Sequence, residues 1–281
     1  MQKMPLRYYA FFTLPTIIAF FIAFFIPFLL GIFLSFNTFT TVTNTQWAGV
    51  TNYVRAFTED STFLNATIFT VKFALVCVVL INVFSFSLAL LLTRKMRGEN
   101  AFRTVFFMPN LIGGIVLGYI WLLIINGILI NFGVDITYSA KYGFWGLVVV
   151  VNWQMIGYMM IIYIAGIMAI PPELFEAARI DGANSWQILR NITIPMVMPA
   201  ITICTFLTLA NSFKLFDQNL ALTAGAPGRS SAMLALDIFN TFYGRIGYEG
   251  VGQAKAVIFT LFVSLIVLLQ LLYSRRRELE S

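Results

Sequence analysis

Two apolar segments of the chain carry amide, hydroxyl and aromatic side chains of the kinds that can bind a small polar ligand. A sugar ring presents flat C–H surfaces to aromatic faces and hydroxyl groups to amides and hydroxyls. The first segment contains Asn152, Trp153, Gln154 and Tyr158, and in a helix Gln154 and Tyr158 lie one turn apart on a single face. Because an aromatic residue near the end of a membrane helix is also a common interfacial anchor, the roles of Trp153 and Tyr158 stay open.

The second segment has a higher density of polar residues, which would be costly against lipid and should therefore face the interior of a helix bundle. Lys214 and Asp217 lie close together in sequence, and their spacing favours mutual neutralisation over contact with a ligand. Asn211 and Ser212 are the better candidates for a substrate pathway. The whole polar set comprises Thr208, Asn211, Ser212, Lys214, Asp217 and Gln218.

The composition disfavours catalysis and metal binding. The chain has no histidine, so it lacks the usual general base at neutral pH and the commonest metal ligand. Its two cysteines, Cys77 and Cys204, lie within apolar runs and are expected to be buried hydrophobes. We therefore predict that the chain is not an enzyme and has no catalytic residue, metal or cofactor of its own.

A polar segment, 171–195, separates two apolar ones and has the features of a pair of short helices. Pro171 and Pro172 suit a first helical turn, Gly182 suits a left-handed stop, and Ser185 can cap a second helix. A plain connector needs only a few residues. Small residues in this segment would let another surface approach closely. The segment is therefore predicted to be a docking element.

The remaining chain must position these residues within a membrane. Of the 281 residues, 59% are hydrophobic and 11% are charged, whereas charged residues make up about a quarter of a soluble chain. A helix needs about 20 apolar residues to cross a bilayer, and the apolar runs predict an all-α polytopic membrane protein with six transmembrane helices in a single domain, 1–281. A soluble globular enzyme is excluded. The expected spans are about 11–36, 67–93, 104–130, 143–169, 196–220 and 253–273.

Basic residues concentrate in one set of connecting segments, and such residues are held on the cytoplasmic side of a membrane. Both termini and the 171–195 segment are therefore expected to be cytoplasmic. The basic residues that set the membrane orientation then account for the net charge of +6. No nucleic-acid partner is therefore expected. The residues that set this orientation are Lys3, Arg7, Arg94, Lys95, Arg97, Arg103, Arg179, Arg190, Arg275, Arg276 and Arg277.

The 171–195 segment resembles the signature loop of ATP-binding-cassette (ABC) importer permeases, whose pattern begins E-A-A-x-x-D-G-A. The family often has Phe where Leu189 stands and Leu where Ile194 stands. Three further stretches are similar to the carbohydrate branch of that family, the MalF-type sugar permeases, in a six-span form. They are W-A-G-V-T-N-Y at 47–53, F-R-T-V-F-F-M-P at 102–109 and L-T-A-G-A-P-G at 222–228. The signature residues present are Glu176, Ala177, Ala178, Asp181, Gly182, Ala183, Leu189, Ile192, Ile194 and Pro195.

The resemblance implies the type I ABC importer permease fold and the permease subunit of an ATP-driven importer for a sugar or oligosaccharide. It places the chain in a bacterial plasma (inner) membrane and implies alternating access driven by an ATPase docked on the 171–195 segment. Glu176 would contact that ATPase, although Arg179 is near enough in sequence for an internal pair. The implied ATPase-coupling residues are Glu176, Ala177, Ala178, Asp181, Gly182 and Ala183.

The substrate pathway is expected to include residues from both polar segments. In the resembled subunit, the positions of Gln154, Met155 and Tyr158 face the ligand, and the fifth span also contributes cavity residues. The full set of candidates comprises Asn152, Gln154, Met155, Tyr158, Thr208, Asn211 and Ser212.

The resemblance also implies a set of partners. These are a second, MalG-like permease in a heterodimer, two ATPase subunits that bind ATP and Mg, and an extracellular or periplasmic solute-binding protein, besides membrane lipid and the carbohydrate itself. The sequence contains no G-x-x-x-x-G-K-[ST] phosphate-binding loop, which agrees with ATP being bound by separate subunits. ATP hydrolysis is therefore expected on a separate chain.

Two alternatives remain open from the sequence. The first is an ABC importer permease for another solute, such as glycerol phosphate. The second is an ion-coupled secondary transporter, which would need acidic residues midway through its spans. Most acidic residues here lie in loops, and this alternative leaves the docking segment unexplained.

Overall fold

The computed structural model describes residues 6–41, 43–59, 61–94 and 97–280, with side chains described from 11 to 272 within these ranges. Lys3 and Lys95, which contribute to the predicted orientation, lie outside the described residues. In chain order the elements are α1 (Leu6–Phe20), α2 (Ile26–Ser35), β1 (Asn37–Thr41), β2 (Asn44–Trp47), α3 (Thr51–Thr58), α4 (Ser61–Leu92), α5 (Glu99–Phe107), α6 (Gly114–Leu129), α7 (Ala140–Met168), α8 (Pro172–Ile180), α9 (Ser185–Ile188), α10 (Ile194–Met196), α11 (Met198–Phe213), α12 (Asp217–Leu222), α13 (Leu234–Gly244) and α14 (Glu249–Glu280).

Several of these helices are joined by turns of a different pitch. A π turn, Phe21–Phe25, connects α1 to α2, and a second one, Leu189–Thr193, connects α9 to α10. Short 3-10 turns follow α5 at Met108–Leu111 and α6 at Ile130–Phe132. The two strands form an antiparallel hairpin in which Asn37 pairs with Trp47.

Within the described part of the chain, five helical stretches are long and apolar enough to cross a membrane. A sixth is obtained if two helices that meet at an angle of 68°, Ser185–Met196 and Met198–Phe213, count as one broken span. The five stretches are Phe11–Ser35, Ser61–Leu92, Gly114–Phe132, Ala140–Met168 and Glu249–Leu272.

Two of the predicted ranges are not continuous helices in the structure. Range 104–130 is interrupted because Pro109 lies in a 3-10 turn and Ile112 is extended, so the membrane-length helix begins only at Gly114. Range 196–220 is interrupted because α11 ends at Phe213 and a separate helix, α12, begins at Asp217. A count of apolar residues does not detect such breaks, since it does not register where the backbone leaves the helical conformation.

The described residues form two compact units. The first comprises those up to Phe63 together with Ile238–Leu261. Here the buried amide of Asn52 donates to the carbonyl oxygens of Ser35, at 3.0 Å, and Asn37, at 2.9 Å, and so connects α3 to the end of α2 and the hairpin. The hairpin and the short helix α3 thus form the connection between α2 and α4.

The second unit comprises Leu64–Asp237 together with the described residues from Phe262 onward, and α7 is its central helix. Within the 18-residue apolar stretch of α7, 67% is buried, compared with 28% or less for the corresponding stretches of the other membrane-length helices. The Ser85 hydroxyl donates to the carbonyl oxygen of Ile156 at 2.9 Å, and the Tyr163 hydroxyl donates to Asn82 Oδ1 at 2.6 Å. These polar contacts join α4 to α7 within an otherwise apolar core.

Candidate functional site

A cavity of about 320 Å³ lies in the second unit, where α7, the end of α11, the start of α12 and the turn after α5 come together. Small-molecule sites typically measure about 300–1,000 Å³, so its volume suits a small polar ligand or part of a larger one. The residues that line it are Asn110, Val151, Gln154, Met155, Asn211, Lys214, Leu215, Phe216, Asp217 and Gln218.

The interruptions in the helices build this cavity. The extended backbone at Ile112 exposes a carbonyl oxygen that accepts a hydrogen bond from Gln154 Nε2 at 3.1 Å. Gln154 Oε1 in turn accepts from Gln218 Nε2 at 2.7 Å. Gln154 is therefore held at two points, by the α5–α6 connection and by α12, and it is only 9% exposed.

Two glycines of α6 allow α12 to approach closely enough to form one wall. A β-carbon at Gly114 would lie 2.7 Å from Asp217 Cβ, and one at Gly118 would lie 2.7 Å from Ala221 Cβ. Real side-chain carbons essentially never approach this closely. Larger residues at either position would therefore displace α12 and, with it, the polar side chains of Asp217 and Gln218.

The cavity combines amide groups with both signs of charge and apolar surface. Lys214 and Asp217 are both exposed, and no ion pair within the described residues joins them. The expectation that they neutralise one another is wrong, because Lys214 follows the end of α11 and Asp217 begins α12. The spacing of a single helix does not apply to them. The amides, the ammonium and the carboxylate can form hydrogen bonds with the hydroxyl groups of a ligand, while Phe216 offers an apolar face.

Three of the seven substrate-pathway candidates line the cavity, namely Gln154, Met155 and Asn211. The remaining four do not. The Asn152 amide donates to the Val148 carbonyl at 2.8 Å and contacts Cys77 Sγ at 3.8 Å, on the α4 side of α7. Asn152 therefore lies inside the helix bundle and not at the cavity.

The other three candidates, Thr208, Ser212 and Tyr158, also lie outside the lining of the cavity. The Thr208 hydroxyl is fully buried and donates to the Cys204 carbonyl at 2.7 Å, one turn earlier in α11. Ser212 is likewise fully buried, and Tyr158 packs half-buried against the apolar core. Cys77 and Cys204 are free and buried, as predicted.

The sequence-based candidates omit Asn110 and Gln218, which also line the cavity. Asn110 follows Pro109 in an aromatic run, and a polar residue beside a proline break is the local signal that could have identified it. Gln218 belongs to the polar set of the second segment, but its place in the cavity depends on α12 lying against α6. That packing is not readable from local sequence.

The 171–195 segment forms two short helices, as predicted, and its chain reversal has a defined geometry. Gly182 has φ +78°, its N–H donates to the Arg179 carbonyl at 3.1 Å, and the N–H of Ala183 donates to the Ala178 carbonyl at 2.9 Å. This is the Schellman arrangement that ends a helix at a left-handed residue.

The N-cap of the second helix differs from the expectation. Asn184, not Ser185, is the N-cap, and its side chain accepts from the backbone N–H groups of Trp186 and Gln187 at 3.0 and 2.9 Å. The Gln187 side chain accepts from the Asn184 N–H at 2.7 Å, which completes a capping box. Asn184 precedes Ser185 directly and satisfies two donors, so Ser185 becomes the first residue of α9.

The coupling candidates lie on the surface of this segment. Glu176, Ala177, Asp181 and Gly182 are exposed, and Ala178 and Ala183 are half-buried. Within the described residues the ion pairs are Arg55–Glu59 and Arg103–Glu99, so the alternative Glu176–Arg179 pair does not form. The Glu176 carboxylate is therefore available to a group on another chain.

Comparison with protein families shows a match over residues 97–279 to the family described as binding-protein-dependent transport system inner membrane component. Among curated proteins, the chain is 45% identical, over 97% of its length and 96% of the relative, to a probable starch degradation products transport system permease protein of Thermoanaerobacterium thermosulfurigenes. It is 29% identical to the multiple sugar-binding transport system permease protein MsmF of Streptococcus mutans, over 88% of both chains. It is also 29% identical to the trehalose/maltose transport system permease protein MalF of Thermococcus litoralis, over 75% of this chain and 74% of that one.

Solved structures show the same fold. The chain superimposes with a TM-score of 0.81, at 22% identity and over 96% of both chains, on a chain of a bacterial ABC transporter involved in the import of the acidic polysaccharide alginate. A more distant likeness is to the MetNI methionine ABC transporter in an inward-facing conformation, with a TM-score of 0.56, 19% identity and coverage of 76% of this chain and 95% of that chain.

Proposed function

Because the chain belongs to the binding-protein-dependent transport system inner membrane components, we propose that it forms the path of a sugar or oligosaccharide through an ATP-driven importer. The identification as an ABC importer permease is confirmed by the family match and by relatives named as permease proteins. The expected type I importer fold is also confirmed. The chain is a transport subunit and not an enzyme.

The observation that carries the substrate class is the 320 Å³ cavity and its lining. Asn110, Gln154, Asn211 and Gln218 surround it with amide groups, which both donate and accept hydrogen bonds as sugar hydroxyls do. The relative at 45% identity is named for starch degradation products, which favours glucose oligosaccharides. We therefore propose Gln154, Met155 and Asn211 as substrate contacts.

The other substrate-pathway candidates have a different place in the proposal. Asn152, Tyr158, Thr208 and Ser212 support the cavity from the helices that carry it, rather than touch the sugar. The hydrogen bonds of Asn152 and Thr208 within their own helices, the packing of Tyr158 against the core and the burial of Ser212 favour this role.

The exposed surface of α8 and its Schellman turn is proposed as the docking site for an ATPase subunit. Glu176 supplies an unpaired carboxylate, and Ala177, Ala178 and Ala183 leave room for a closely fitting partner. ATP and Mg would be bound by two such subunits. A second, MalG-like permease and an extracellular or periplasmic solute-binding protein would complete the assembly.

The family is described as an inner membrane component, and the orientation in that membrane is part of the proposal. Arg94, Arg97, Arg103, Arg179 and Arg190 all belong to segments on one side of the membrane-length helices. The positive-inside rule places that side, and with it the 171–195 segment and both termini, in the cytoplasm.

Reconstitution of the complete transporter in proteoliposomes tests the function. We expect ATP-dependent accumulation of a labelled glucose oligosaccharide in the presence of the cognate binding protein. Glycerol phosphate is the control solute, because a permease for that anion is the nearest competing function. Uptake of glycerol phosphate without uptake of any sugar in a panel would contradict the proposed substrate class.

A further inference from the structure

A second and larger cavity, of about 680 Å³, lies where α4 and α7 end and the 171–195 segment begins. One part of its lining is apolar and includes Leu90, Ile167 and Phe175. Another part carries two arginines, Arg94, which follows α4, and Arg179, near the end of α8. None of the residues described as lining it is acidic. The cavity therefore offers positive charge next to an apolar surface.

The cavity opens toward the surroundings of the protein. Met168 and Trp186 both line it and are 67% and 66% exposed. Tryptophan is enriched where membrane meets water, because its ring is apolar and its N–H is polar. Two membrane-length helices, α4 and α7, end beside this cavity at Leu92 and Met168. The exposed Trp186 and these helix ends favour a position of the opening at one boundary of the bilayer.

Ala177, which belongs to the proposed docking surface, lies on the opposite face of α8 from this cavity. Phe175 and Arg179 are one helical turn apart and both line the cavity. Ala177 is rotated by about 160° from Phe175 on a regular helix, and it is exposed. An ATPase subunit on the Ala177 side would leave the cavity accessible.

We propose that this cavity binds an anionic phospholipid of the cytoplasmic leaflet. Arg94 and Arg179 would contact the phosphate of its headgroup, and Leu90, Ile167 and Phe175 would contact the upper part of an acyl chain. Basic pockets between membrane helices on the cytoplasmic side suit such lipids. The proposal depends on the proposed function, because it takes the 171–195 segment as cytoplasmic. A lipid bound here would bridge the end of α4 and α8, and so support the helix on which the ATPase docks.

Titration of phosphatidylglycerol against the complete purified transporter, followed by native mass spectrometry, tests the proposal. A basic residue near a membrane surface contributes about 1 kcal/mol, so Arg94→Gln should weaken binding of this lipid about fivefold. Arg179→Gln should have a similar effect. Arg190→Gln is the matched control, because Arg190 is an exposed arginine of the same segment that does not line the cavity. It should leave the affinity unchanged. Arg94→Lys should retain most of it.

Three results would each overturn the proposal. They are unchanged phosphatidylglycerol affinity in both Arg94→Gln and Arg179→Gln, equal affinity for phosphatidylcholine, and displacement of the bound lipid by millimolar inorganic phosphate, which would indicate a plain anion site. ATPase activity and sugar uptake of the unmodified transporter are measured on the same preparation. Loss of the proposed function would appear there, whereas failure of the lipid site alone would leave both activities intact.

Discussion

The carbonyl oxygen of Phe106 occupies the space that a β-carbon would take at Gly157. The overlap is with backbone and not with a flexible side chain, so the end of α5 and the middle of α7 are in direct main-chain contact. The turn that follows Phe106 carries Asn110 and exposes the Ile112 carbonyl that accepts from Gln154. The close approach at Gly157 therefore fixes the position of one wall of the cavity.

Gly157→Ala should destabilise the protein by about 1–3 kcal/mol, the usual cost of forcing a methyl group into a filled space. It should also reduce transport, because α5 must move away from α7. Thermal unfolding of the purified permease in detergent measures the first effect, and sugar uptake measures the second. Gly127→Ala is the matched control. Gly127 lies within α6 with no atom near a β-carbon, and its replacement should be neutral. Equal stability of the two variants would contradict the packing argument.

Asn211 and Thr208 lie on the same helix, but only Asn211 lines the cavity. Asn211→Ala should raise the sugar concentration for half-maximal uptake about two- to tenfold, since a neutral hydrogen bond contributes about 0.5–1.5 kcal/mol. Thr208→Val should leave that concentration unchanged, because the hydroxyl donates to its own helix at Cys204. The measurement is initial uptake into proteoliposomes at saturating ATP. A larger effect from Thr208→Val than from Asn211→Ala would argue against this cavity as the sugar site.

Some candidate residues line the cavity and others do not, and the difference shows how much of the site could be predicted from the sequence. Gly182 and Pro172 act on the backbone within a few residues, so the two short helices of the 171–195 segment were predictable from local sequence. Thr208 and Asn152 are polar residues in apolar helices, and composition alone does not tell whether such a side chain reaches a cavity or its own helix. The sequence alone therefore does not show that Asn211 reaches the cavity and Thr208 does not.

The approximate positions of the membrane-length helices were predictable from the sequence, whereas the interruptions within two of the predicted ranges were not. At the first break the Ile112 carbonyl accepts a hydrogen bond from Gln154, and α12 packs against α6 where Gly118 leaves room for Ala221. Both are contacts between residues far apart in sequence. The cavity arises from these interruptions, so its full lining, including Asn110 and Gln218, required the three-dimensional structure.

Glu59 follows the end of α3 and accepts hydrogen bonds from Arg55 Nε at 2.8 Å and from the Tyr248 hydroxyl at 3.1 Å. The hydrogen bond from Arg55 is the main cause that lowers the pKa of Glu59, and that from Tyr248 acts in the same direction. Because the folded-state pKa lies below the unfolded one, the stabilisation is complete above the unfolded pKa and is lost as the pH falls through the folded pKa.

Glu59→Gln should therefore lower the melting temperature at pH 7, and the difference from the unmodified protein should shrink once the pH falls below about 4, near the ordinary range of a glutamate. Melting curves of both proteins from pH 7 to pH 3 measure this. Glu173→Gln is the control, because Glu173 is exposed and forms none of the ion pairs found among the described residues. A constant difference across this range would show that Glu59 acts through packing and not through its charge.

Gly182→Asp should leave the permease inserted and folded but uncouple ATP hydrolysis from sugar uptake. Gly182 has φ +78°, which strains other residues, and it is exposed with nothing within 4 Å of a β-carbon. An aspartate there would add charge and bulk to the proposed docking surface. Gly182→Asn is the matched control, because asparagine tolerates this conformation and is uncharged; it should retain more uptake than Gly182→Asp. Membrane abundance, ATPase activity and uptake are measured for the assembled transporter, and normal uptake by Gly182→Asp would show that this turn does not contact the ATPase.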